Sequence, residues 1–147
     1  LGTMGFGMPS AMGAKFAKPN NQIINFVGDG SVLMNIQELM TMVENKLNVV
    51  NIILNNNFLG MVRQWQTLFY GQRFSSTNLQ LQPDFVKLIE SFGGIGFSVK
   101  TKAEFEKALN LALQSDKPSF IEVKIDRFEN VLPMVPAGGA LYNMILD

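Results

Sequence analysis

The stretch QIINFVGDGSVLMNIQELM, residues 22–40, decides the fold. Residues 22–27 are a short apolar run rich in Ile and Val, as a buried strand requires, and they end on Gly28, Asp29 and Gly30, the composition of a tight turn. Val32, Ile36, Leu39, Met40 and Val43 then recur at helical spacing, which predicts a helix over residues 31–44 with Ser31 as its cap. A second apolar run, VVNIIL at 49–54, predicts the next strand and leads into Asn55, Asn56 and Asn57. Strand, helix and strand in this order predict two adjacent parallel strands joined by a crossover.

The same alternation continues on both sides. Upstream, the glycine-rich LGTMGFGM (1–8) precedes Pro9, which predicts a helix carrying Ala11, Met12 and Phe16 and stopping before Pro19. Downstream, FLGMVRQWQTLF at 58–69 has helical spacing with uncertain ends, so an irregular functional stretch is expected there. Pro83 is expected to start a helix with Phe85, Leu88, Ile89 and Phe92 on one face, ended by Gly93 and Gly94. Residues 95–99 read as a strand, and Thr101 with Glu104 reads as a capping box opening a helix to about Gln114. Residues 119–125 give the last strand, and VLPMVPAGG at 131–139 has no periodicity. The expected class is α/β: a parallel sheet, most of its strands too apolar to be wet on either face, flanked by helices on both faces.

Composition narrows the chemistry. The 147 residues fit one domain, and 47% apolar against 16% charged residues is too hydrophobic for a disordered chain. Twelve basic residues balance twelve acidic ones, which argues against nucleic acid as a partner, and no apolar run reaches the length of a membrane span. There is no Cys and no His, which excludes disulfides, thiolate nucleophiles, imidazole-bound zinc and a histidine base from within the chain. Carboxylates, amides, backbone groups or a borrowed cofactor remain. The sequence opens on Leu1 directly into the glycine run, so it reads as a piece of a longer protein.

In an open parallel sheet, ligands bind beyond the carboxyl ends of the strands. Two such ends carry polar loops: Gly28, Asp29, Gly30 and Ser31 after the first strand, and Asn55 with Asn56 after the second. Gly28 and Gly30 let backbone N–H groups approach an anion at the following helix. A carboxylate beside a phosphate is repulsive unless a cation lies between them, so Asp29 in such a cradle implies a metal, with Mg²⁺ the natural candidate. Asp29 would supply charge, Asn56 a side-chain carbonyl, and Phe58 a backbone carbonyl. A turn of no function is the competing reading of Gly-Asp-Gly alone. A dinucleotide fingerprint fails, because its third glycine position holds Leu33.

GDGS at 28–31 with NN at 55–56 resembles the motif of thiamine diphosphate-dependent enzymes. LGTMGFGMPSAMGAKFA at the start, NNNFLGMVRQWQTLFYGQRFS in the middle and VLPMVPAGG near the end resemble the large catalytic subunits of the acetolactate synthase (acetohydroxyacid synthase) family. The resemblance covers residues 1–147 and implies their C-terminal thiamine diphosphate-binding domain, truncated at its N-terminus, with 131–147 as a tail over the active site.

By this resemblance Asp29, Asn56 and the Phe58 carbonyl ligate Mg²⁺. Gly28, Gly30, Ser31 and Gly60 meet the diphosphate, Gly2 offers its carbonyl to the aminopyrimidine, and Met4 supports the bend of the cofactor. Met61 borders cofactor and substrate, and Trp65 lines the pocket that selects 2-oxobutyrate or pyruvate as acceptor. A Trp at helical spacing from Met61 is otherwise a core residue. Arg63 and Arg73 are expected to be surface or interface charges. No catalytic side chain is expected here, because the family's activating glutamate lies in an N-terminal domain of a partner subunit and FAD binds mainly in a middle domain. The isolated chain is therefore expected to be inactive. Asn57 departs from the family, where many members carry Glu. The implied setting is branched-chain amino-acid biosynthesis by a transferase acting as a homodimer or tetramer, with the cofactor at the subunit interface and a possible regulatory small subunit. Its compartment is the bacterial cytoplasm, or a plastid or mitochondrion in a eukaryote. A related thiamine-dependent 2-oxo acid decarboxylase or carboligase, or a non-catalytic α/β binding module, remain the alternatives.

Overall fold

A computed structural model describes residues 2–147, so Leu1, which opens the glycine run, lies outside the described residues. Four strands, β1 (Ile24–Gly28), β2 (Val50–Asn55), β3 (Ile95–Val99) and β4 (Ser119–Lys124), form one sheet in the order β1-β2-β4-β3. Every pairing is parallel, with Phe26 opposite Ile52, Ile52 opposite Ile121, and Phe97 opposite Ile121. The expected neighbours β1 and β2 are adjacent.

Helices cover both faces, as expected, but unequally. On one face α1 (Gly7–Ala17), α3 (Glu38–Glu44) and α5 (Phe85–Ser91) pack on the sheet, joining Met8, Met12, Leu39, Met42, Phe85 and Ile89 to Val27, Ile53 and Phe120. On the other, α6 (Lys102–Gln114) places Ala108 and Ala112 on Val50, Ile52, Ile121 and Val99. Each fully buried large aliphatic or aromatic side chain contributes about 1.5–3 kcal/mol. The α6 layer does not reach β1, whose Phe26 is 67% exposed. β1 is thus an edge strand with one bare face, an exception to the expectation that most strands are dry on both faces.

The helix expected over 31–44 is broken. A single turn, α2 (Asp29–Val32), passes into a 3-10 turn at Leu33–Asn35, and α3 starts only at Glu38. Ser31 lies inside α2 and caps nothing; its hydroxyl accepts a hydrogen bond from the Gly5 amide at 2.8 Å. The side chain of Asn35 donates to the Gly5 carbonyl at 2.6 Å. Anchoring the glycine run thus takes precedence over helical continuity. The first helix starts at Gly7, with Pro9 inside its first turn, where a missing N–H costs nothing.

The region 58–69 does contain a helix, α4 (Gly60–Phe69). Helix α5 is capped by Asp84, whose carboxylate accepts from the Val86 and Lys87 amides, so Pro83 precedes the cap instead of starting the helix. The capping box of Thr101 and Glu104 forms as expected.

Helix α5 lies so close to β3 that a Cβ on Gly96 would stand 2.7 Å from the Val86 Cα. Backbone cannot give way as a side chain tip can, so Gly96→Ala is expected to destabilise the fold by about 1–3 kcal/mol. A lowered urea midpoint at unchanged slope is the expected readout.

Candidate functional site

Asp29 is the first residue past β1. Because Gly28 pairs with Leu54, it stands level with Asn55, the last residue of β2, after which Asn56 and Asn57 begin the next loop. It is only 2% exposed. Among the described residues no lysine or arginine forms an ion pair with it; the pairs present are Lys87 with Asp84, Lys102 with Glu106 and Lys124 with Glu122. Its partner is neutral: the side-chain amide of Gln82 donates to Asp29 Oδ2. Burial pushes the Asp29 carboxyl above its usual range, against the opposing effect of hydrogen bonds from Gln82 and from the backbone at Gly30, Asp29 and Asn57. A carboxylate withdrawn from water with no countercharge suits a bound cation.

A Cβ on Gly30 would lie 2.7 Å from Leu59 Cδ2 and 3.1 Å from Leu79 Cδ1, so a side chain there would push leucine tips aside, and Gly30 borders a cavity of about 170 Å³. This cavity gathers Met4, Gly28, Asp29, Gly30, Ser31, Phe58, Gly60 and Met61, most of the residues singled out by sequence. A neighbouring cavity of about 590 Å³ holds Gly2 and shares Met4, Gly28 and Ser31 with it. Gly2 therefore lines the neighbouring cavity and not the Asp29 cradle itself. Asn56 lies behind Gly60, where a Cβ would stand 2.9 Å from Asn56 Nδ2. Its Oδ1 accepts from the Phe58 amide at 3.0 Å, which turns the chain sharply, and among the described residues the Phe58 carbonyl accepts no hydrogen bond. Asn57 has φ 57°, a left-handed conformation that Asn tolerates far better than most side chains, so its departure from the family pattern suits the turn.

Helix α4 is inside out. Its buried residues are Arg63 and Gln64, whereas Met61, Val62, Trp65 and Phe69 are exposed by 40–47%. The expectation of a surface Arg63 is overturned: Arg63 donates to the Asn130 side chain at 2.8 Å and to the Glu129 carbonyl at 2.7 Å. Gln64 grips Val131 at both backbone groups, accepting from its N–H at 2.8 Å and donating to its carbonyl at 3.0 Å. Arg73 is exposed, as expected.

The polar side of α4 thereby clamps the segment after β4, and the apolar side faces a cleft of about 530 Å³. Met61, Trp65, Phe69 and Tyr70 form one wall, and Met134, Val135, Pro136 and Ala137 of the tail the other. Trp65 is therefore not a core residue, and the tail residues lie opposite Met61 and Trp65. Sequence reading missed Gln82, which sits in a loop with no motif, and the clamp of Arg63 and Gln64, since helical spacing alone does not tell which face is inward.

A sheet end with a buried carboxylate, a glycine cradle and an outward apolar helix defines a cofactor-binding domain of known kind. Residues 1–123 match the family described as thiamine pyrophosphate enzyme, C-terminal TPP binding domain, and the chain belongs to that family. Within it, the chain is similar to acetolactate synthase large subunits. It is 46% identical over 145 residues to the isozyme 2 large subunit of Escherichia coli K12, covering 99% of this chain and 26% of that protein. A probable acetolactate synthase large subunit of Methanocaldococcus jannaschii is 49% identical, again over 99% of this chain and 24% of that protein. The chain thus spans about a quarter of these relatives' length. A thiamine diphosphate-dependent 4-hydroxybenzoylformate decarboxylase of Rhodococcus jostii RHA1 superposes with a TM-score of 0.80 at 36% identity, over 87% of this chain and 24% of that one.

The Asp29 shift has a pH signature. Its folded-state pKa lies above the unfolded value of about 3.9, so the folded chain holds the proton more tightly. The stability this contributes is fully present below about pH 3.9 and is lost as pH rises through the folded-state value. Asp29→Asn is therefore expected to stabilise the metal-free protein at pH 7, with the gain vanishing below pH 4, as read by urea denaturation at both pH values.

Proposed function

We propose that this chain is the diphosphate- and Mg²⁺-binding part of an acetolactate synthase, a transferase that decarboxylates pyruvate and joins the product to a second 2-oxo acid, pyruvate or 2-oxobutyrate. The pathway is branched-chain amino-acid biosynthesis. The observation that carries this reading is Asp29, buried at 2% exposure with a neutral side-chain partner only, lining one cavity with Gly28, Gly30 and Gly60.

Asp29 Oδ1, Asn56 Oδ1 and the Phe58 carbonyl would hold the cation. Among the described residues no group of three or more charged or imidazole ligands is present, so the remaining positions of a six-coordinate Mg²⁺ fall to diphosphate and water. Gly28, Gly30, Ser31 and Gly60 would border the diphosphate. Gly2 and Met4, in the adjoining cavity, would border the aminopyrimidine. When bound, thiamine diphosphate supplies the electron sink that lets a 2-oxo acid lose CO₂.

The chain's own residues bind, orient and exclude water. Met61 and Trp65 offer an apolar wall for the acceptor's alkyl group, and the tail at Met134–Ala137 narrows the cleft against solvent. An activating acid supplied by another part of the longer protein or by a second copy belongs to this reading. A homodimer or tetramer, FAD in a further domain, a regulatory small subunit and a cytoplasmic setting, or an organelle in a eukaryote, belong to this reading. No helix among the described residues is long and apolar enough to cross a membrane.

The likeness to a decarboxylase favours, as second reading, a 2-oxo acid decarboxylase that releases aldehyde. Product analysis separates the two. The full-length protein given pyruvate is expected to yield acetolactate, and Trp65→Leu to lower its preference for 2-oxobutyrate over pyruvate by about tenfold. Free acetaldehyde as the main product would sink the synthase reading.

A further inference from the structure

Gln82 lies 53 positions from Asp29 in sequence, on the loop before α5, yet is its side-chain partner. An amide can point either way, and here three neighbours decide which. Gln82 Oε1 accepts from Asn55 Nδ2 and from Asn57 Nδ2, both at 2.9 Å. Turning the amide over would set its NH₂ against two other NH₂ groups and its oxygen against the Asp29 carboxylate.

Asn55 is itself fixed. Its Oδ1 accepts from the Asn57 amide at 2.9 Å, and its Nδ2 also donates to Glu122 Oε1 at 2.6 Å. Glu122, 6% exposed, is held in turn by Ser98 Oγ at 2.8 Å and by Lys124, so its charge is compensated as that of Asp29 is not. The loop bearing Gln82 is tied to the asparagine turn by the Leu79 amide, which donates to the Asn57 carbonyl at 2.8 Å. Each amide in the chain from Glu122 to Asp29 thus has one permitted orientation, and the last N–H is delivered to Asp29 Oδ2.

We infer that Gln82 is a positioning residue for the metal site: it occupies Asp29 Oδ2 with a neutral donor, so that Asp29 meets the cation through Oδ1 alone. This rests on the functional reading above. A neutral donor holds the carboxylate without competing with the cation for its charge, as a lysine or arginine in that place would. A carboxylate limited to one oxygen also leaves room in an octahedral shell for diphosphate and water.

The test uses the full-length protein and titrates Mg²⁺ at fixed thiamine diphosphate, reading cofactor binding by calorimetry. Q82M and Q82L keep the bulk and remove both hydrogen-bonding ends. Both are expected to raise the half-saturating Mg²⁺ concentration at least tenfold. Asn55, Asn57 and Asp29 lose a shared partner in both, so the metal-free melting temperature is expected to fall as well, and the Mg²⁺ half-saturation of the folded variant decides. A merely structural glutamine would lower the melting temperature and leave the Mg²⁺ half-saturation where it was. Half-saturation within twofold of wild type in a folded variant overturns the inference. Where Q82M does not fold, Q82L carries the same reading. Absence of Mg²⁺-dependent binding in the wild-type protein would instead overturn the functional reading.

Discussion

A carboxylate taken out of water without a countercharge is the constraint around which this domain is built. Asp29 is buried at the end of β1, where it lines one cavity with Phe58, Leu59 and Gly60. It must also stay ionisable to be of use to a cation. Much of the local structure answers that pair of demands: a neutral amide on one carboxylate oxygen, backbone hydrogen bonds opposing desolvation, and a glycine at position 30 that keeps the adjoining space open. Past β1, the Ser31 hydroxyl within α2 and the Asn35 side chain pin the Gly5 turn beside the cradle.

The second organising feature is a surface that an isolated globular domain would not keep. Helix α4 turns Arg63 and Gln64 inward and Met61, Val62, Trp65 and Phe69 outward, and β1 leaves Phe26 bare. Burying a guanidinium is unfavourable unless it is compensated, and here Arg63 donates to Asn130 and to the Glu129 carbonyl and lies 6.0 Å from the Phe128 ring, while its Nε is buried without a partner. The return is a helix whose apolar stripe faces a cleft with the tail, held in register because Gln64 grips Val131. Exposed apolar area of this kind suits contact with a ligand, with other parts of a longer protein or with a second copy.

Much of this was legible in the sequence because strand periodicity, capping chemistry and turn glycines are local. The parallel α/β class, the adjacency of the strands ending at Gly28 and Asn55 and the Thr101 capping box follow from such signals, while the gathering of Gly60 and Met61 with Gly28, Asp29 and Gly30 around one cavity was anticipated through the family resemblance. What was not legible depends on partners distant in sequence. Nothing near Ser31 announces that Gly5 will claim its hydroxyl, and nothing near Arg63 announces Glu129 and Asn130. Gln82 belongs to no motif and acquires its meaning only when the loop before α5 folds against the asparagine turn. The bare face of β1 escaped because an edge strand and a central one share the same apolar text.

The central claim is that Asp29 carries a divalent cation lying between this chain and a diphosphate. Electron paramagnetic resonance of the full-length protein loaded with Mn²⁺ and thiamine diphosphate tests it most directly. The account predicts a bound Mn²⁺ whose spectrum shows hyperfine coupling to cofactor phosphorus, and loss of that bound signal in a folded Asp29→Asn variant. Bound Mn²⁺ with no phosphorus coupling, or coupling undiminished in the variant, would contradict it.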